Sequence, residues 1–124
     1  MEEDSILNTI KGMLGIEGDD AGFDQEILLN INTVLSYLYQ IGVGDEPKHI
    51  FGSSETWTDL FDDSPELIDL IKSYIFMKVR LLFDPPSSSF VLNSLSEQID
   101  EIQWRIYTQA EGVFDGNDQK PDEL

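Results

Sequence analysis

Hydrophobic residues recur along this chain at the three- and four-residue spacing of amphipathic helices, in four separate segments. The first segment runs from about Asp4 to Leu14, with Asp4 or Ser5 as the N-cap and Gly15 as the stop. Its apolar side chains share one face of a helix: Ile6, Leu7, Ile10, Met13 and Leu14. The pattern predicts a short amphipathic helix.

The second segment begins after a turn rich in Gly and Asp. Asp24 is the expected N-cap, the helix extends to about Ile41, and Gly42 is its natural C-terminal stop. Helical spacing relates its apolar residues, which are Ile27, Leu28, Ile31, Val34, Leu35, Leu38 and Ile41. A second, longer helix is therefore predicted.

The interval from Gly42 to Ser64 has no sustained periodicity and contains three Gly and one Pro. Loops of this length inside compact domains are usually functional or disordered, and the aromatic residues of this one give it something to pack. We predict a long ordered loop in which Trp57, Leu60 and Phe61 form a short helical turn.

The third helix is predicted to begin at Ser64, with Pro65 in its first position. It ends near Phe83, because a residue that precedes Pro disfavours helical geometry and Asp84-Pro85-Pro86 follows. Apolar side chains surround most of this helix: Leu67, Ile68, Leu70, Ile71, Tyr74, Ile75, Met77, Val79, Leu81 and Leu82. Such a helix is typical of the centre of a bundle or of a subunit interface.

The fourth helix is predicted to start within Ser87-Ser88-Ser89. Its apolar seam lasts only two heptads, which favours packing against its own bundle over a coiled coil: Leu92, Leu95, Ile99, Ile102 and Ile106. From Glu111 onward, Gly, Asn, Asp and Pro replace apolar residues. The sequence thus predicts an all-α fold, a small bundle of about four helices with a long ordered loop over residues 1–110, followed by a flexible acidic tail over residues 111–124.

The charge balance is the unusual property of the composition. The 124 residues fit one domain, and 25 acidic residues stand against seven basic ones, which gives a net charge of -18. This balance argues against a protein that binds the phosphate backbone of nucleic acids, because such proteins gain affinity from Lys and Arg. Repulsion within the chain destabilises a compact monomer, and a basic partner would relieve it.

The sequence gives no sign of a cofactor, a metal site or a membrane segment. The chain has no Cys, and the single His49 cannot make a zinc site unaided. Its first residues are acidic, unlike those of a secretory signal, and no apolar run approaches membrane-spanning length. We expect a soluble protein made in a cytoplasm, with no membrane partner.

Signals for catalysis are weak. Ser87 to Ser89 offer hydroxyls and His49 a base, but no nucleophile-elbow glycines flank the serines, and serines after two prolines commonly begin a helix. Asp19, Asp20 and Asp24 do not have the alternating spacing of a calcium-binding loop and indicate a solvated turn with an N-cap. We predict that the protein is not an enzyme.

Aromatic and basic side chains are the candidates for protein contacts, because aromatics and Arg dominate interface hot spots. The aromatic candidates are Trp57, Phe61, Phe76, Phe90 and Tyr107. Four of the seven cations lie in the last two helices: Lys72, Lys78, Arg80 and Arg105. They either pair with the surplus carboxylates of their own chain or contact an acidic neighbour, including another copy of this protein.

A sequence motif at the end of the third helix resembles that of a known protein family. Lys78-Val-Arg-Leu-Leu-Phe-Asp-Pro-Pro86 is followed about 18 residues later by Trp104-Arg105. The sequence resembles the head-tail connector, or head-completion adaptor, family of tailed bacteriophages. Supporting similarity lies in Ile10–Ile16, Phe23-Asp24, Ile31-Asn32 and Gln40–Gly44, so that about residues 5 to 110 are covered. The signature residues are Lys78, Arg80, Phe83, Asp84, Pro85, Pro86, Trp104 and Arg105.

The resemblance implies a structural adaptor of the virion, located at the head-tail interface and present in the host cytoplasm during assembly. Members of this family form a ring beneath the portal protein, a dodecamer that matches the portal's twelvefold symmetry, and they extend the DNA channel. The implied partners are the portal, neighbouring copies and a stopper or tail-completion protein, while DNA passes without specific binding. The alternative is an acidic helical regulatory module, an inhibitor or DNA mimic that occupies the basic site of another protein.

Overall fold

The computed structural model describes residues 5–44, 46–61 and 64–111. Within these ranges the chain forms five helices and no strand: α1 Ile6–Met13, α2 Asp24–Gln40, α3 Trp57–Leu60, α4 Pro65–Phe83 and α5 Ser89–Glu111. The four longer helices are the four that the periodicity predicts, and α3 is the predicted helical turn, so the all-α prediction is confirmed. The predicted tail beyond Glu111 lies outside the described residues, as does Asp4.

Helix α4 is the centre of the bundle. It packs against α2 on one side and α5 on another, while α1 packs against both α2 and α4. This position explains why its buried residues surround so much of the helix: Leu67, Ile68, Ile71, Tyr74, Ile75, Met77 and Val79. None of the described helices combines the length and the apolarity needed to cross a bilayer.

The starts of α1, α4 and α5 follow the predicted cap residues. The hydroxyls of Ser5 and Ser64 each accept a hydrogen bond at 3.2 Å from the backbone N–H three residues further on. Pro65 occupies the first position of α4, where a missing N–H costs nothing. Ser88 accepts the equivalent bond at 3.4 Å just before α5. The run of serines therefore begins a helix, as predicted.

Both α1 and α2 end in a Schellman motif built on glycine. Gly15 and Gly42 have φ of +84° and +105°, a conformation that a Cβ atom disfavours. After α2, the N–H of Val43 donates to the carbonyl of Leu38 at 3.0 Å, and the N–H of Gly42 donates to Tyr39 at 3.1 Å. Val43 and Leu38 are both buried, so the motif also adds an apolar contact to the core.

Asp24 does not cap α2 as predicted. It is the first residue of the helix, and its carboxylate instead pairs with the ammonium of Lys11, with Nζ 2.8 Å from Oδ1. The side chain of Lys11 is only 2% exposed, and its Nζ also donates to the carbonyl of Gly18 at 3.3 Å. A buried ammonium requires a counter-charge, and this requirement, rather than capping, fixes the Asp24 carboxylate.

The long loop between α2 and α4 is ordered by hydrogen bonds to the helices. The side-chain amide of Asn32 donates to the carbonyl of Ile50 at 3.0 Å and accepts from the Ile50 N–H at 2.8 Å. Ile50 itself is buried in the core. The N–H of Ile6 donates to the carbonyl of Glu55 at 3.0 Å. Over its described residues the loop is therefore attached to both α1 and α2.

Candidate protein-interaction surfaces

Two of the predicted aromatic anchors lie inside the core. Trp57 and Phe61 are buried, and their rings stack with centroids 6.5 Å apart. The indole Nε1 of Trp57 donates to the hydroxyl of Thr9 at 3.2 Å, and the ammonium of Lys72 lies 5.5 Å from the centre of an indole ring. These contacts attach α3 to α1 and α4. Neither ring is on the surface of the described chain, and a role at an interface stays a prediction.

An open groove between α4 and α5 holds two other predicted anchors. Its volume is about 470 Å³. Phe76 is half-buried in its wall, and Phe90, at the start of α5, is 81% exposed. Tyr107 is half-buried near the end of α5, where its interface role stays a prediction. We refer to this surface as the α4–α5 groove and define it by Phe76, Met77, Arg80, Phe90, Leu95 and Ile102.

The cations of α4 and α5 differ in their surroundings. Arg105 pairs with Glu101 at 2.8 Å on the exposed face of α5, which is the first of the two alternatives, pairing within the chain. Lys72 and Lys78 lie over aromatic rings instead. Arg80 is the one charged residue that lines the α4–α5 groove, and it has no ion pair among the described residues. Contact with an acidic neighbour thus stays open for Arg80.

The signature residue Lys78 lies between two tyrosine rings of different helices. Its Nζ is 5.3 Å from the ring centre of Tyr37 on α2 and 5.8 Å from that of Tyr74 on α4. The hydroxyl of Tyr74 donates to Oε1 of Gln103 on α5 at 3.1 Å. Burial, with smaller contributions from the nearby Tyr37 and Asp100, raises the pKa of Tyr74 to about 12. This row of side chains connects all three long helices.

Four of the remaining signature residues, Phe83 to Pro86, form the junction between α4 and α5. Phe83 is the last residue of α4, and its ring meets that of Phe23 edge to face, with centroids 5.4 Å apart. Asp84-Pro85-Pro86 follows as the turn, and its exposed residues carry the chain towards α5. Trp104 is half-buried on α5. The junction fixes where α4 ends and holds that end against the start of α2.

The sequence alone does not single out the exposed aromatic side chain of the long loop, Phe51. Phe51 is 84% exposed, although the residue before it, Ile50, is buried and hydrogen-bonded to Asn32. The carboxylate of Glu55 accepts from the N–H of Phe51 at 2.8 Å and from that of Gly52 at 3.4 Å. We call residues 50–55 the Phe51 turn. Glu55 four residues after Phe51 is the only local signal, and it is too common to predict such a turn.

The side chains considered for catalysis or metal binding either make hydrogen bonds that shape the local backbone or lie exposed in a loop. Ser88 accepts the hydrogen bond that begins α5, and His49 is an exposed loop residue. Oδ1 of Asp20 accepts from the N–H of Gly22 at 3.0 Å, which closes the turn before α2. In the part of the chain that the structure describes, no three His, Asp or Glu side chains are grouped so that they could hold a metal ion.

The family resemblance is confirmed by comparison with known families. Residues 6–113 match a family model described as phage connector protein. The chain belongs to the phage connector protein family. This family is structural and not known for enzymatic activity, and membership makes the chain a virion component that interacts with other head or tail proteins. Searches of curated proteins and of solved structures gave no match.

In this connector, most segments that carry the resemblance maintain the fold. Ile10–Ile16 contains the first Schellman motif, Gln40–Gly44 contains the glycine of the second, and Asn32 holds the long loop. Arg80 belongs both to the motif Lys78–Pro86 and to the α4–α5 groove, whereas Phe51 lies outside every segment that carries the resemblance. The resemblance therefore identifies the fold better than it identifies the surfaces that contact partners.

Proposed function

We propose that this connector assembles into a ring beneath the portal protein, extends the DNA channel and offers a platform to the next head-completion or tail protein. The observation that carries the proposal is the family match, which spans residues 6–113 and thus nearly the whole chain. The α4–α5 groove and the exposed Phe51 supply apolar surface that a neighbour would cover. The partners are the portal, further copies of the chain and a stopper or tail-completion protein.

The proposed location is the head-tail interface of the virion, with the protein present in the host cytoplasm during assembly. The ring takes the twelvefold symmetry of the portal, because one connector then meets each portal subunit in the same way. The rival function, an acidic inhibitor or DNA mimic, rests on the net charge of -18 alone. It explains neither the family match nor the signature residues.

Reconstitution with the portal tests this function. Purified connector and purified portal are mixed, and the product is imaged by electron microscopy and weighed by native mass spectrometry. We expect one ring of twelve connectors on one end of the portal, absent from portal alone. A connector that stays unbound, or that binds without forming a ring, contradicts the proposal.

We further propose that carboxylates line the channel of the ring. A ring of chains that each carry -18 concentrates negative charge, and carboxylates repel DNA phosphates, so DNA slides without binding. Lys in place of two lumen-facing carboxylates, chosen from the imaged ring, should slow DNA ejection. The same two replacements on the outer surface of the ring are the control. Unchanged ejection with the lumen variant, or a lumen dominated by Lys and Arg, contradicts this mechanism.

The tail, residues 111–124, is proposed to contact a neighbouring ring. Its composition is polar, and it follows directly after a helix with an apolar seam. Limited proteolysis compares the free connector with the portal-bound ring. We expect cleavage in the tail to slow on binding, while equal cleavage in both states counts against this role.

A further inference from the structure

The Phe51 turn and the α4–α5 groove lie on different parts of the molecule. The turn is attached to α2 through Asn32, whereas the groove is formed by α4 and α5. Helix α4 forms one wall of the groove and also packs against α2. A contact between two unlike surfaces is heterologous, and its repetition builds a closed ring or an open filament.

The groove has room for an aromatic side chain. Its volume of about 470 Å³ is roughly three times that of the ~150 Å³ apolar cavity that holds benzene. Phe76, Phe90 and Leu95 offer apolar contact to an entering ring, and aromatic pairs gain from edge-to-face or offset geometry. Such a contact would also cover Phe90, which is 81% exposed in the single chain.

The Phe51 turn is organised before any partner binds. Both carboxylate oxygens of Glu55 accept backbone N–H groups of the turn, and Asn32 holds the residue that precedes Phe51 from both sides. Because the backbone of the turn is already fixed by these bonds, insertion of Phe51 into a groove would cost mainly the rotamer freedom of its side chain. The ordered backbone of the turn thus favours Phe51 as an anchor residue.

Charge also matches between the two features. Arg80 is the one charged side chain that lines the groove, and within the described ranges it has no carboxylate partner. The Phe51 turn carries the carboxylate of Glu55. An aromatic ring that enters the groove from this turn brings a negative charge towards a positive one. Between chains that each carry -18, an interface that contains a cation also reduces repulsion.

We propose that Phe51 of one copy inserts into the α4–α5 groove of the next copy, and that this contact links neighbouring connectors in the ring. The inference rests on the proposed function, because it assigns the surfaces that join the copies of that ring. The occupant of the groove is a second copy of this chain.

Cross-linking tests the contact directly, because the chain contains no Cys. Ser53→Cys lies in the exposed Phe51 turn and Gln98→Cys on the exposed edge of the groove, and neither change removes Phe51 or the apolar lining. The double variant is assembled on the portal and treated with a short thiol-reactive cross-linker. We expect a ladder of covalent oligomers. The matched control is a double variant that keeps Gln98→Cys and carries Leu29→Cys, on the exposed face of α2, in place of Ser53→Cys. It should give no ladder.

The dependence of ring assembly on Phe51 is measured by the connector concentration at which half of the rings have assembled. Phe51→Ala should raise it at least tenfold, because removal of an aromatic anchor at a hot spot usually costs that much. Leu29→Ala, which removes another exposed apolar side chain, should leave it unchanged. Both positions are exposed, and thermal melts of the two variants establish that the fold is kept.

The outcomes separate this contact from the proposed function. A ring that assembles on the portal without the ladder, or with Phe51→Ala as efficient as the unchanged chain, overturns the contact and leaves the proposed function standing. Failure of the unchanged chain to form a ring overturns both. Cross-linking of Gln98→Cys to Asp118→Cys within a single free chain shows that the protein's own tail occupies the groove, and this also overturns the contact.

Discussion

At the scale of single residues, the pair formed by Lys11 and Asp24 is the ion pair of the described chain that includes a buried charge. The Lys11 ammonium is almost completely buried, and its neutralisation depends on one carboxylate that remains 28% exposed. A buried charge that loses its partner is strongly destabilising, whereas an exposed ion pair contributes little. The pair also ties α1 to the first residue of α2.

Asp24→Asn tests this reasoning. It leaves the buried Lys11 ammonium without a counter-charge, so we expect the free energy of unfolding to fall by about 3 kcal/mol. Urea denaturation followed by circular dichroism measures it. Glu101→Gln, which makes the same change in net charge but breaks the exposed pair with Arg105, should cost at most about 0.5 kcal/mol. Equal losses in the two variants would contradict the role of burial.

Tyr74 predicts a dependence of stability on alkaline pH. Its pKa is raised to about 12 in the folded chain, whereas the unfolded chain has the ordinary value near 10. The folded state therefore holds this proton more tightly, so the stabilisation is complete below about pH 10 and is lost as the pH rises towards 12. Urea denaturation at several pH values should show this decline. Tyr74→Phe should lower stability at neutral pH, because the bond to Gln103 is lost, and should flatten the decline above pH 10.

Residue-scale contacts are also where the sequence was least informative. Asp24 was predicted to cap α2, because capping signals are local. Its carboxylate instead pairs with Lys11, which lies 13 positions away in the sequence. The bonds between Asn32 and Ile50 join residues 18 apart, and the exposure of Phe51 depends on them. No pattern within one helix or one turn encodes such pairs.

At the scale of elements, prediction from sequence was more successful. The start of α4 and the ends of α2 and α4 agree with the sequence to within a residue or so, because Ser, Pro and Gly act on backbone only a few positions away. The central position of α4 followed from apolar side chains around most of its circumference. The α4–α5 groove could not be predicted, because it depends on how far two helices separate.

Two glycine substitutions test the helix stops. Gly42→Ala should lower the free energy of unfolding by about 1–2 kcal/mol, because its φ of +105° is unfavourable for a residue with a Cβ atom. Gly12→Ala is the matched control within α1. An added Cβ there meets nothing within 4 Å, and helical alanine should raise stability by about 0.5–1 kcal/mol. Urea denaturation of both variants measures the difference, and a loss at position 12 equal to that at position 42 would contradict it.

At the scale of the whole molecule, the net charge of -18 is a source of repulsion that salt can screen. The Debye length falls from roughly 30 Å at 0.01 M salt to about 10 Å at 0.1 M. We expect the melting temperature to rise by several degrees as NaCl increases over this range. A variant in which the exposed Glu17, Glu26 and Glu97 are replaced by Gln should have a higher melting temperature at 0.01 M NaCl. Its melting temperature should also rise less as NaCl increases. A melting temperature that is independent of salt in both proteins would argue against repulsion.

The row formed by Tyr37, Lys78, Tyr74 and Gln103 has a mechanical consequence. It crosses from α2 through α4 to α5, so it acts as a brace that resists sliding of any one helix along the next. A bundle held in this way moves as one rigid body rather than as a hinge. In the proposed ring, any widening or tilting that accompanies the passage of DNA would then occur at the contacts between subunits and leave each subunit unchanged.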